Sequence, residues 1–336
     1  MKNLTAVAAF IVVGCGTSED RESFNSVREA LSVCDDIEHD VLVGTQTYTV
    51  RGTLCRDEDL DGEQTVLVLT SGGTYSNVYW DFPFRPNIYS FSKRANNAGY
   101  ATLNLDRIGI GTSDRPPADD VTLQAGIDTL EDVVEALSDG DIAGVEFPKI
   151  VVIGHSLSSP MGLALAGGTE VDAVVATSWL HLPGPGFLSG PATLWEASMD
   201  PAFSGSGIPS GYKTTVPGTR GQFYWLPETN PGVVEKDEDT KDCITQGEID
   251  SFLATQGGGA VVPSTLAVPV LLMVGANDST FCTPGMCVEA MLESDNYDPA
   301  TQPDIVVVPD TGHDITLHYN APTVQADLLD WIDTNI

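Results

Sequence analysis

The stretch KIVVIGHSLSSPMGLALAG, residues 149–167, decides the fold of this chain. Its opening, KIVVIG, predicts a buried strand, and the apolar residues at its end predict a helix that follows directly. GHSLS between them resembles the G-x-S-x-G turn, which lifts its central serine, here Ser156, above the following helix. The fifth position of that pattern holds Ser158 instead of glycine.

Ser158 does not disqualify Ser156 as a nucleophile. Glycines flank the nucleophile in this turn because the tight crossing of strand and helix leaves little room for a side chain. Serine adds only a hydroxymethyl group, which can form a hydrogen bond within the first helical turn, at a strain of about 1 kcal/mol. We therefore expect Ser156 to be the nucleophile.

Seven apolar segments predict strands, and two amphipathic segments predict helices. The strand segments are 41–54 (a hairpin), 65–70, 100–106, 149–154, 171–180, 268–275 and 304–310. Apolar residues at helical spacing are Leu123, Ile127, Leu130, Val134 and Leu137, and near the C-terminus Val324, Leu328, Trp331 and Ile332. Apolar strands that alternate with amphipathic helices indicate an α/β fold, with a mostly parallel central sheet and helices on both faces.

Three polar residues follow predicted strands in the order serine, aspartate, histidine: Ser156, Asp278 and His313. The carboxyl ends of parallel strands lie at one edge of a sheet, where chemistry gathers. A serine hydroxyl is a weak nucleophile until an imidazole takes its proton, and the imidazole needs a carboxylate to fix its tautomer. We expect Ser156 to attack, His313 to transfer the proton and Asp278 to orient the imidazole.

Other residues of the same types compete for these roles. His39 precedes the hairpin, and Asp310 and Asp314 are too near His313 in sequence to come from a separate strand. Only His313 directly follows a strand that comes after both other members of the set, which favours it on geometric grounds.

Five motifs occur in a fixed order: SGGTYSNVYWDFP (71–83), LDRIGIGTSD (105–114), GHSLSS (154–159), GANDSTFC (275–282) and GHDITLH (312–318). Together they resemble the secreted serine hydrolases of bacteria and fungi that have the α/β-hydrolase fold. The resemblance extends from about residue 34 to the end of the chain and implies hydrolysis of esters. We expect no cofactor and no metal ion.

Two backbone N–H groups are expected to stabilise the tetrahedral intermediate of such a reaction. One belongs to Leu157, directly after the nucleophile, and the other to the loop after the strand 65–70. The usual His-Gly of this loop is replaced by Ser71-Gly72, which makes Gly73 the expected second donor. Ser71 and Ser158 are thus departures from the family pattern at the oxyanion hole.

Several residues near the expected nucleophile are candidates for substrate binding. They are Thr74, Tyr75, Tyr79, Trp80, His155 and His181. The aromatic residues either wall an acyl pocket or belong to the core. His155 occupies the variable position of the G-x-S-x-G turn, whereas His181 and His318 either line the pocket or are polar groups that are hydrogen-bonded within the fold.

Residues 184–263 interrupt the alternation of strands and helices. This segment is rich in glycine, proline and aromatic residues, shows no clear strand and is far longer than an ordinary loop. Its large aromatic residues favour packing over a flexible loop: Trp195, Tyr212, Phe223, Tyr224 and Trp225. We expect a lid or cap over the carboxyl edge of the sheet, inserted into a core formed by 32–183 and 264–336.

The N-terminal sequence MKNLTAVAAFIVVGC predicts export. A lysine precedes an apolar run that is too short to span a bilayer, so residues 1–14 are expected to be a signal peptide. VVGC resembles the lipobox of bacterial lipoproteins, which implies cleavage before Cys15, lipidation of its sulfur and anchoring on the outer side of the membrane. The alternative is a soluble secreted protein that is cleaved elsewhere. The acidic residues 15–31 are expected to form a flexible tether.

Export permits disulfides. We expect one bridge between Cys34 and Cys55, which bracket the hairpin, and another between Cys282 and Cys287, which share a short loop. Cys243 then remains a free thiol.

The charge balance excludes some partners. With 15 Lys+Arg and 48 Asp+Glu, the formal net charge is -33, which repels nucleic-acid phosphates and anionic lipid headgroups. We expect no nucleic-acid partner and membrane contact only through the lipid anchor. The segment DEDLDG, 57–62, opens like a calcium loop, but the required glutamate is replaced by Val68, so a solvated turn is the better interpretation.

The sequence therefore predicts a monomeric, exported carboxylesterase that acts on a small-molecule, lipid or polymer ester. Hydrolysis of a C–C bond or a lactone by the same three residues is an alternative, because the leaving group is selected outside the triad. Epoxide and haloalkane hydrolysis are disfavoured, because they need a carboxylate where Ser156 stands. A catalytically silent binding protein of the same fold is the remaining alternative.

Overall fold

A computed structural model of the protein describes residues 32–57, 64–187 and 193–336. The strands are β1 (Ser32–Val43), β2 (Gln46–Asp57), β3 (Thr65–Thr70), β4 (Ala101–Asp106), β5 (Lys149–His155), β6 (Ala173–Thr177), β7 (Leu194–Glu196), β8 (Tyr212–Thr215), β9 (Ile244–Thr245), β10 (Val270–Gly275) and β11 (Asp304–Val308). The helices are α1 (Pro86–Tyr89), α2 (Phe91–Asn97), α3 (Leu123–Ser138), α4 (Ser158–Leu165), α5 (Pro231–Thr240), α6 (Gln246–Ala254), α7 (Val288–Leu292) and α8 (Ala321–Asn335). The predicted signal peptide 1–14, the lipidation site Cys15, the tether 15–31 and most of the turn 57–62 lie outside the described residues.

An eight-stranded sheet forms the centre, in the order β1-β2-β4-β3-β5-β6-β10-β11. From β4 to β11 all neighbouring strands are parallel, whereas β2 pairs antiparallel with both β1 and β4. The prediction of a mostly parallel sheet is confirmed. Strand β5, which carries the GHSLS turn at its carboxyl end, lies in the middle of the sheet, where both of its edges are paired.

Helices cover both faces of the sheet, because the side chains of its buried strands alternate between two cores. In β3, Val66 and Val68 belong to the core packed under α3 and α4, while Leu67 and Leu69 face the core packed under α2 and α8. The predicted apolar stripe of α3 is buried, and the side chain of Thr122 caps the first turn by accepting from the Ala125 N–H.

The N-terminal hairpin is longer than the sequence pattern predicted. β1 begins at residue 32, and its exposed residues alternate with inward-facing ones, which hides the strand from a search for apolar runs. Cys34 lies opposite Cys55 in this hairpin and forms the predicted disulfide with it. The second predicted disulfide joins Cys282 and Cys287, and Cys243 is the free cysteine of the described residues, fully buried.

The disulfides indicate an extracellular protein, because such bonds persist in oxidising compartments. Among the residues that the structure describes, no helix has the length and apolar character needed to cross a membrane.

The segment 184–263 does contain strands, which corrects the prediction that it has none. β7, β8 and β9 form a separate three-stranded antiparallel sheet, and helices α5 and α6 belong to the same segment. These strands have two to four residues, too few for a periodic pattern to show in the sequence. The predicted packing holds for Tyr212 and Tyr224, which are buried, whereas Trp225 is 36% exposed.

Candidate active site

The turn after β5 holds Ser156 in a conformation that few non-glycine residues adopt. Its φ is 53°, and its N–H donates to the carbonyl of Thr177 on the neighbouring strand, at 2.8 Å. A Cβ at Gly154 would lie 2.5 Å from the carbonyl oxygen of Ser158, so glycine is required at the first position of the pattern. The strained backbone is thus fixed by tight packing and points the hydroxyl out of the sheet edge.

The structure brings the three predicted catalytic residues together. The Oγ of Ser156 lies 2.8 Å from Nε2 of His313, and Nδ1 of the same ring lies 2.9 Å from Oδ2 of Asp278. The other carboxylate oxygen of Asp278 accepts from the N–H of Thr280 at 2.9 Å. Each residue follows a different strand of the sheet, and together they form one continuous chain of hydrogen bonds.

The electrostatic surroundings raise the pKa of His313. Burial alone would lower it, but the Asp278 carboxylate raises it by charge and by hydrogen bond, and the charge of Asp314 adds to this, against the opposing charge of Arg220. The balance places the pKa above the usual 6.5. The imidazole is therefore a stronger base than a free histidine, as proton transfer from a serine hydroxyl requires.

Two backbone N–H groups beside the Ser156 hydroxyl are available as donors. Those of Gly73 and Leu157, both in the wall of the pocket around Ser156, donate no hydrogen bond to any described residue. Gly72 lies directly behind the nucleophile, because a Cβ there would be 2.9 Å from the Ser156 Cβ. These are the two donors that the sequence predicted for an oxyanion hole.

An apolar pocket of about 140 Å³ opens over Ser156 and His313. Its wall is mostly aromatic and aliphatic: Tyr75, Leu157, Phe187, Leu194, Phe223, Ile244, Ile249, Phe252, Leu253 and Phe281. Among the described residues that line it, His313 is the only ionisable side chain apart from the Tyr75 phenol. The segment 184–263 supplies half or more of this wall, so it helps to shape the space above the nucleophile.

Several predicted pocket residues lie elsewhere. Thr74 and Tyr75 line the pocket, but Tyr79, Trp80 and His155 are buried within the core and do not reach it. Tyr79 stacks on the His155 ring at 4.2 Å between centroids, so the alternative of core aromatics holds for this pair. Burial lowers the pKa of His155 well below 6.5, which keeps its ring neutral.

His181 also lies outside the pocket. Its Nδ1 is 2.7 Å from the buried carboxylate of Glu293, and its ring packs edge-on against Trp179. His318 is a satisfied polar group as well: Nε2 accepts from the N–H groups of Trp225 and Gly312, each at 3.0 Å. Burial lowers the pKa of His318 to about 4, so the ring stays neutral and serves to hold the loop that carries the catalytic histidine.

Sequence reasoning missed the residues that converge on the site from distant segments. The pocket rings of Phe187, Phe252 and Phe281 come from three separate parts of the chain. Asp314, set aside as a triad member, is fully buried and accepts from the Tyr75 hydroxyl at 2.8 Å. A charged residue directly after the catalytic histidine, in an apolar motif, was the available sign that this position is buried and paired.

Solved structures share this fold at low sequence identity. The 2-hydroxy-6-oxo-6-phenylhexa-2,4-dienoate hydrolase from Rhodococcus sp. strain RHA1 has 16% identity and a TM-score of 0.57, over 90% of this chain and 100% of that chain. The enol-lactonase from Burkholderia xenovorans LB400 has 12% identity and a TM-score of 0.57, over 88% and 100%. The monoacylglycerol lipase from Paleococcus ferrophilus has 16% identity and a TM-score of 0.56, over 82% and 97%.

At these identities the likeness establishes the fold and not the reaction. A search among curated proteins finds no match. The sequence model described as the alpha/beta hydrolase family matches residues 67–327, which is most of the chain and includes Ser156, Asp278 and His313. The chain therefore belongs to the alpha/beta hydrolase family.

Proposed function

We propose that this protein is an exported serine hydrolase that cleaves carboxylic esters through an acyl-enzyme formed on Ser156. The observation that carries the proposal is the unbroken hydrogen-bond chain from Ser156 through His313 to Asp278, with two unused N–H groups beside the hydroxyl. A binding protein gains nothing from keeping a strained serine, a basic imidazole and a buried carboxylate in this order.

In the first half of the reaction, the Oγ of Ser156 attacks the ester carbonyl while Nε2 of His313 takes its proton. The carbonyl oxygen becomes an oxyanion that accepts from the N–H groups of Gly73 and Leu157. Asp278 holds the imidazole in the tautomer whose Nε2 accepts, and it stabilises the imidazolium that forms. Collapse of the intermediate breaks the bond to the alkoxy oxygen, which takes the proton from His313 and leaves as the alcohol.

In the second half, water takes the place of the alcohol. His313 removes a proton from the water as its oxygen attacks the acyl carbonyl, and the same two N–H groups receive the second oxyanion. The bond to Oγ then breaks, Ser156 regains its proton, and the carboxylic acid leaves. The cycle consumes one water and one ester and needs no other reactant.

The absence of charge in the described pocket wall favours an uncharged substrate. A dienoate, such as the one named for the Rhodococcus hydrolase, brings a carboxylate that would need a cation or several donors in the pocket. The wall here offers neither lysine nor arginine, and the five residues at 188–192, LSGPA, are uncharged in the sequence. Ester or lactone cleavage, which share one chemistry, is therefore preferred over C–C cleavage of such an acid.

The size of the pocket favours a small acyl group. A cavity of roughly 150 Å³ lined by apolar side chains accommodates benzene, and this pocket measures about 140 Å³. Its aromatic walls suit a short chain or a single ring. We therefore infer that short-chain and benzoyl esters are better substrates than long-chain esters.

The test is a panel of p-nitrophenyl esters: acetate, butyrate, benzoate, octanoate and palmitate. A matched pair separates charge from size, because the hemisuccinate has nearly the length of the valerate but carries a carboxylate. We expect butyrate and benzoate to give the highest kcat/KM and the hemisuccinate to fall at least about tenfold below valerate, the scale of one buried, unpaired polar group.

A fluorophosphonate probe supplies the independent readout of the nucleophile. It should label the wild type at Ser156 and leave Ser156→Ala unlabelled, and that variant should lose on the order of 10⁶ in kcat. A wild type that hydrolyses none of these esters and is not labelled would favour the binding protein. A wild type that cleaves a dienoate but no ester would favour the C–C hydrolase.

The localisation carries a proposal of its own, based on VVGC. We propose that the mature protein begins at Cys15 and is held at the outer side of a membrane by lipid on that residue. In a suitable bacterium the wild type should enter the membrane fraction and Cys15→Ser should not. Mass spectrometry that finds an unmodified N-terminus at another residue would support the soluble secreted form instead.

A further inference from the structure

The loop Ser71–Tyr75, called here the oxyanion loop because it carries the Gly73 N–H, is held by buried arginine side chains. Arg107, from the end of β4, donates from Nε to the Ser71 carbonyl at 2.9 Å and from Nη2 to the Gly72 carbonyl at 3.1 Å. Arg220 donates from Nη1 to the Thr74 hydroxyl oxygen at 2.7 Å. Two carbonyls and one hydroxyl of the loop thus accept from buried arginines.

Each of these arginines is paired with a carboxylate from the segment 184–263. Arg107 forms an ion pair with Glu248 on α6, and Arg220 forms two hydrogen bonds with Asp237 on α5, at 2.9 and 2.7 Å. All four side chains are at least 96% buried. Because desolvation offsets most of the attraction in a buried ion pair, these pairs are not by themselves evidence of added stability.

Thr74, whose hydroxyl accepts from Arg220, is held by further contacts as well. Its φ is 68°, a left-handed conformation that a β-branched residue adopts only when its surroundings impose it. Its N–H donates to the Cys243 carbonyl at 3.1 Å, and its carbonyl accepts from the Asp242 N–H at 2.9 Å. The segment 184–263, which includes Arg220, therefore contacts the N–H, the carbonyl and the side chain of Thr74.

Arg220 is placed to act on the loop and not on the substrate. Its guanidinium lies 4.0 Å from the centroid of the Tyr75 ring and 4.9 Å from that of Phe223, both of which line the pocket. Arg220 itself is not among the residues that line the pocket, and Asp237 accepts from its Nε and Nη2. The charge is thus used to hold neighbouring groups in place.

We propose that Arg220 is a positioning residue: through Thr74 it fixes the oxyanion loop so that the Gly73 N–H meets the developing oxyanion. The inference rests on the proposed function. It assigns to the segment 184–263 a part in catalysis beyond covering the site, because the segment supplies both arginine partners and most of the contacts that hold Thr74. A donor that moves away from the oxyanion lowers the rate of the chemical step more than the binding of substrate.

Thr74→Val tests the proposal, because it keeps the β-branched shape and removes the hydroxyl oxygen, which is the closer of the two Thr74 oxygens to Arg220 Nη1, at 2.7 Å against 3.5 Å for the backbone carbonyl. We expect kcat on p-nitrophenyl butyrate to fall about tenfold or more, the scale of a misplaced catalytic group, with KM changed by less than about twofold. Thr74→Ser keeps the hydroxyl and should recover most of this loss. Lys213→Gln is the control, since it breaks the ion pair with Glu196 in the same segment, at 2.6 Å, without touching the oxyanion loop.

The affinity for a trifluoromethyl ketone distinguishes a positioning role of Arg220 from a merely structural one. Ser156 adds to its carbonyl, His313 takes the proton, and the resulting oxyanion occupies the hole. The affinity of the enzyme for the ketone should fall in parallel with kcat/KM in Thr74→Val and in Arg220→Gln. The affinity for the corresponding alcohol, which cannot form the adduct, should stay the same.

The outcomes separate the two proposals. If the wild type hydrolyses no ester, the proposed function fails and this inference fails with it. If the wild type is active and Thr74→Val keeps its full kcat and ketone affinity, or Thr74→Ser loses as much as Thr74→Val, the positioning role is wrong while the proposed function stands. The test does not depend on Arg220→Gln being folded, because the Thr74 variants leave the buried ion pair intact.

Discussion

The hydroxyl of Ser158 donates a hydrogen bond to the carbonyl of Ser71, with 2.5 Å between the two oxygens. The residue that departs from the G-x-S-x-G pattern thus links the turn after β5 to the loop after β3, and both of these carry a predicted oxyanion donor. Ser158 is fully buried. Serine at this position is therefore compatible with the turn, and it connects the two loops that carry the predicted donors.

Restoring the glycine should harm this protein. Ser158→Gly recreates the usual pattern but removes the link to Ser71, so we expect kcat to fall by about three- to tenfold, the value of one hydrogen bond. Ser158→Ala removes the same hydroxyl without the added backbone freedom of glycine. Equal losses in the two variants would assign the effect to the hydrogen bond, whereas a gain of activity in Ser158→Gly would contradict this account.

The two glycines of the oxyanion loop should differ in their tolerance of a methyl group. At Gly72 a Cβ would lie 2.9 Å from the Cβ of Ser156 and 3.3 Å from the His155 carbonyl, so the nucleophile itself must move. At Gly73 the nearest atom, at 2.8 Å, is the flexible Cδ1 end of Ile244. We expect Gly72→Ala to lower kcat by about a hundredfold or more, the effect of a displaced reacting group.

Gly73→Ala is the matched control, and we expect it to lose less than about tenfold because the Ile244 side chain can rotate. We would measure kcat on p-nitrophenyl butyrate and the melting temperature of each variant. Equal losses in both variants, at equal melting temperatures, would show that the packing behind Ser156 does not set its position.

The architecture could be predicted from the sequence where burial leaves a simple pattern. Strands such as 65–70 and 149–154 have uninterrupted apolar interiors, 66–69 and 150–153, because both faces of a parallel strand are covered. The meeting of Ser156, Asp278 and His313 could be predicted because each follows a strand of the sheet, and the ends of parallel strands converge. Physical rules that act along the chain were sufficient for both.

The pocket and its supports could not be predicted in the same way. Tyr79 and Trp80 follow the expected loop, but the sequence does not tell which aromatic side chains turn into the core and which face the site. Arg107 and Arg220 are two of only 15 Lys+Arg residues in the chain, and nothing in their neighbours marks them as buried. These contacts join segments that are far apart in sequence, so only the folded structure reveals them.

The pH dependence of hydrolysis should reflect the raised pKa of His313. The imidazole accepts the serine proton only when neutral, so kcat/KM should rise with pH through that pKa and level off above it. Because Asp278 and Asp314 raise this pKa against the opposing effects of burial and Arg220, the midpoint should lie above 6.5. A midpoint at or below that value would contradict the electrostatic assignment.

Removing one of these charges should move the midpoint to lower pH. Asp278→Asn removes both a charge and a hydrogen bond, so it should give the larger shift together with a loss on the order of 10⁴ in kcat. Asp314→Asn removes a charge that does not contact the imidazole, and it should give a smaller shift with a smaller loss. The pH profiles of both variants, measured on p-nitrophenyl butyrate, separate the two roles.

The disulfide between Cys282 and Cys287 should matter more for catalysis than for stability. It closes the loop that begins directly after Asp278, and the N–H of Cys282 donates to the Asp278 carbonyl at 2.7 Å. Without the bridge this loop gains freedom, and the carboxylate that orients His313 gains it too. We expect the Cys282→Ser, Cys287→Ser double variant to lose at least about tenfold in kcat, the scale of a lost positioning contact.

The disulfide between Cys34 and Cys55 is the control for this prediction. It constrains a longer loop, and it joins β1 and β2 at the edge of the sheet, away from the strands that precede Ser156, Asp278 and His313. Its cysteines, Cys34 and Cys55, are separated by 21 positions, against 5 for the bridge near the triad. Chain entropy then gives about 3 kcal/mol of stabilisation for the hairpin bridge and about 2 for the short one. The Cys34→Ser, Cys55→Ser variant should therefore show the larger fall in melting temperature and keep its kcat. The Cys282→Ser, Cys287→Ser variant should show the smaller fall in melting temperature and lose kcat. If both variants lose kcat only in proportion to their stability, the short bridge has no part in holding the carboxylate, and the Thr280 N–H and its neighbours are sufficient for that task.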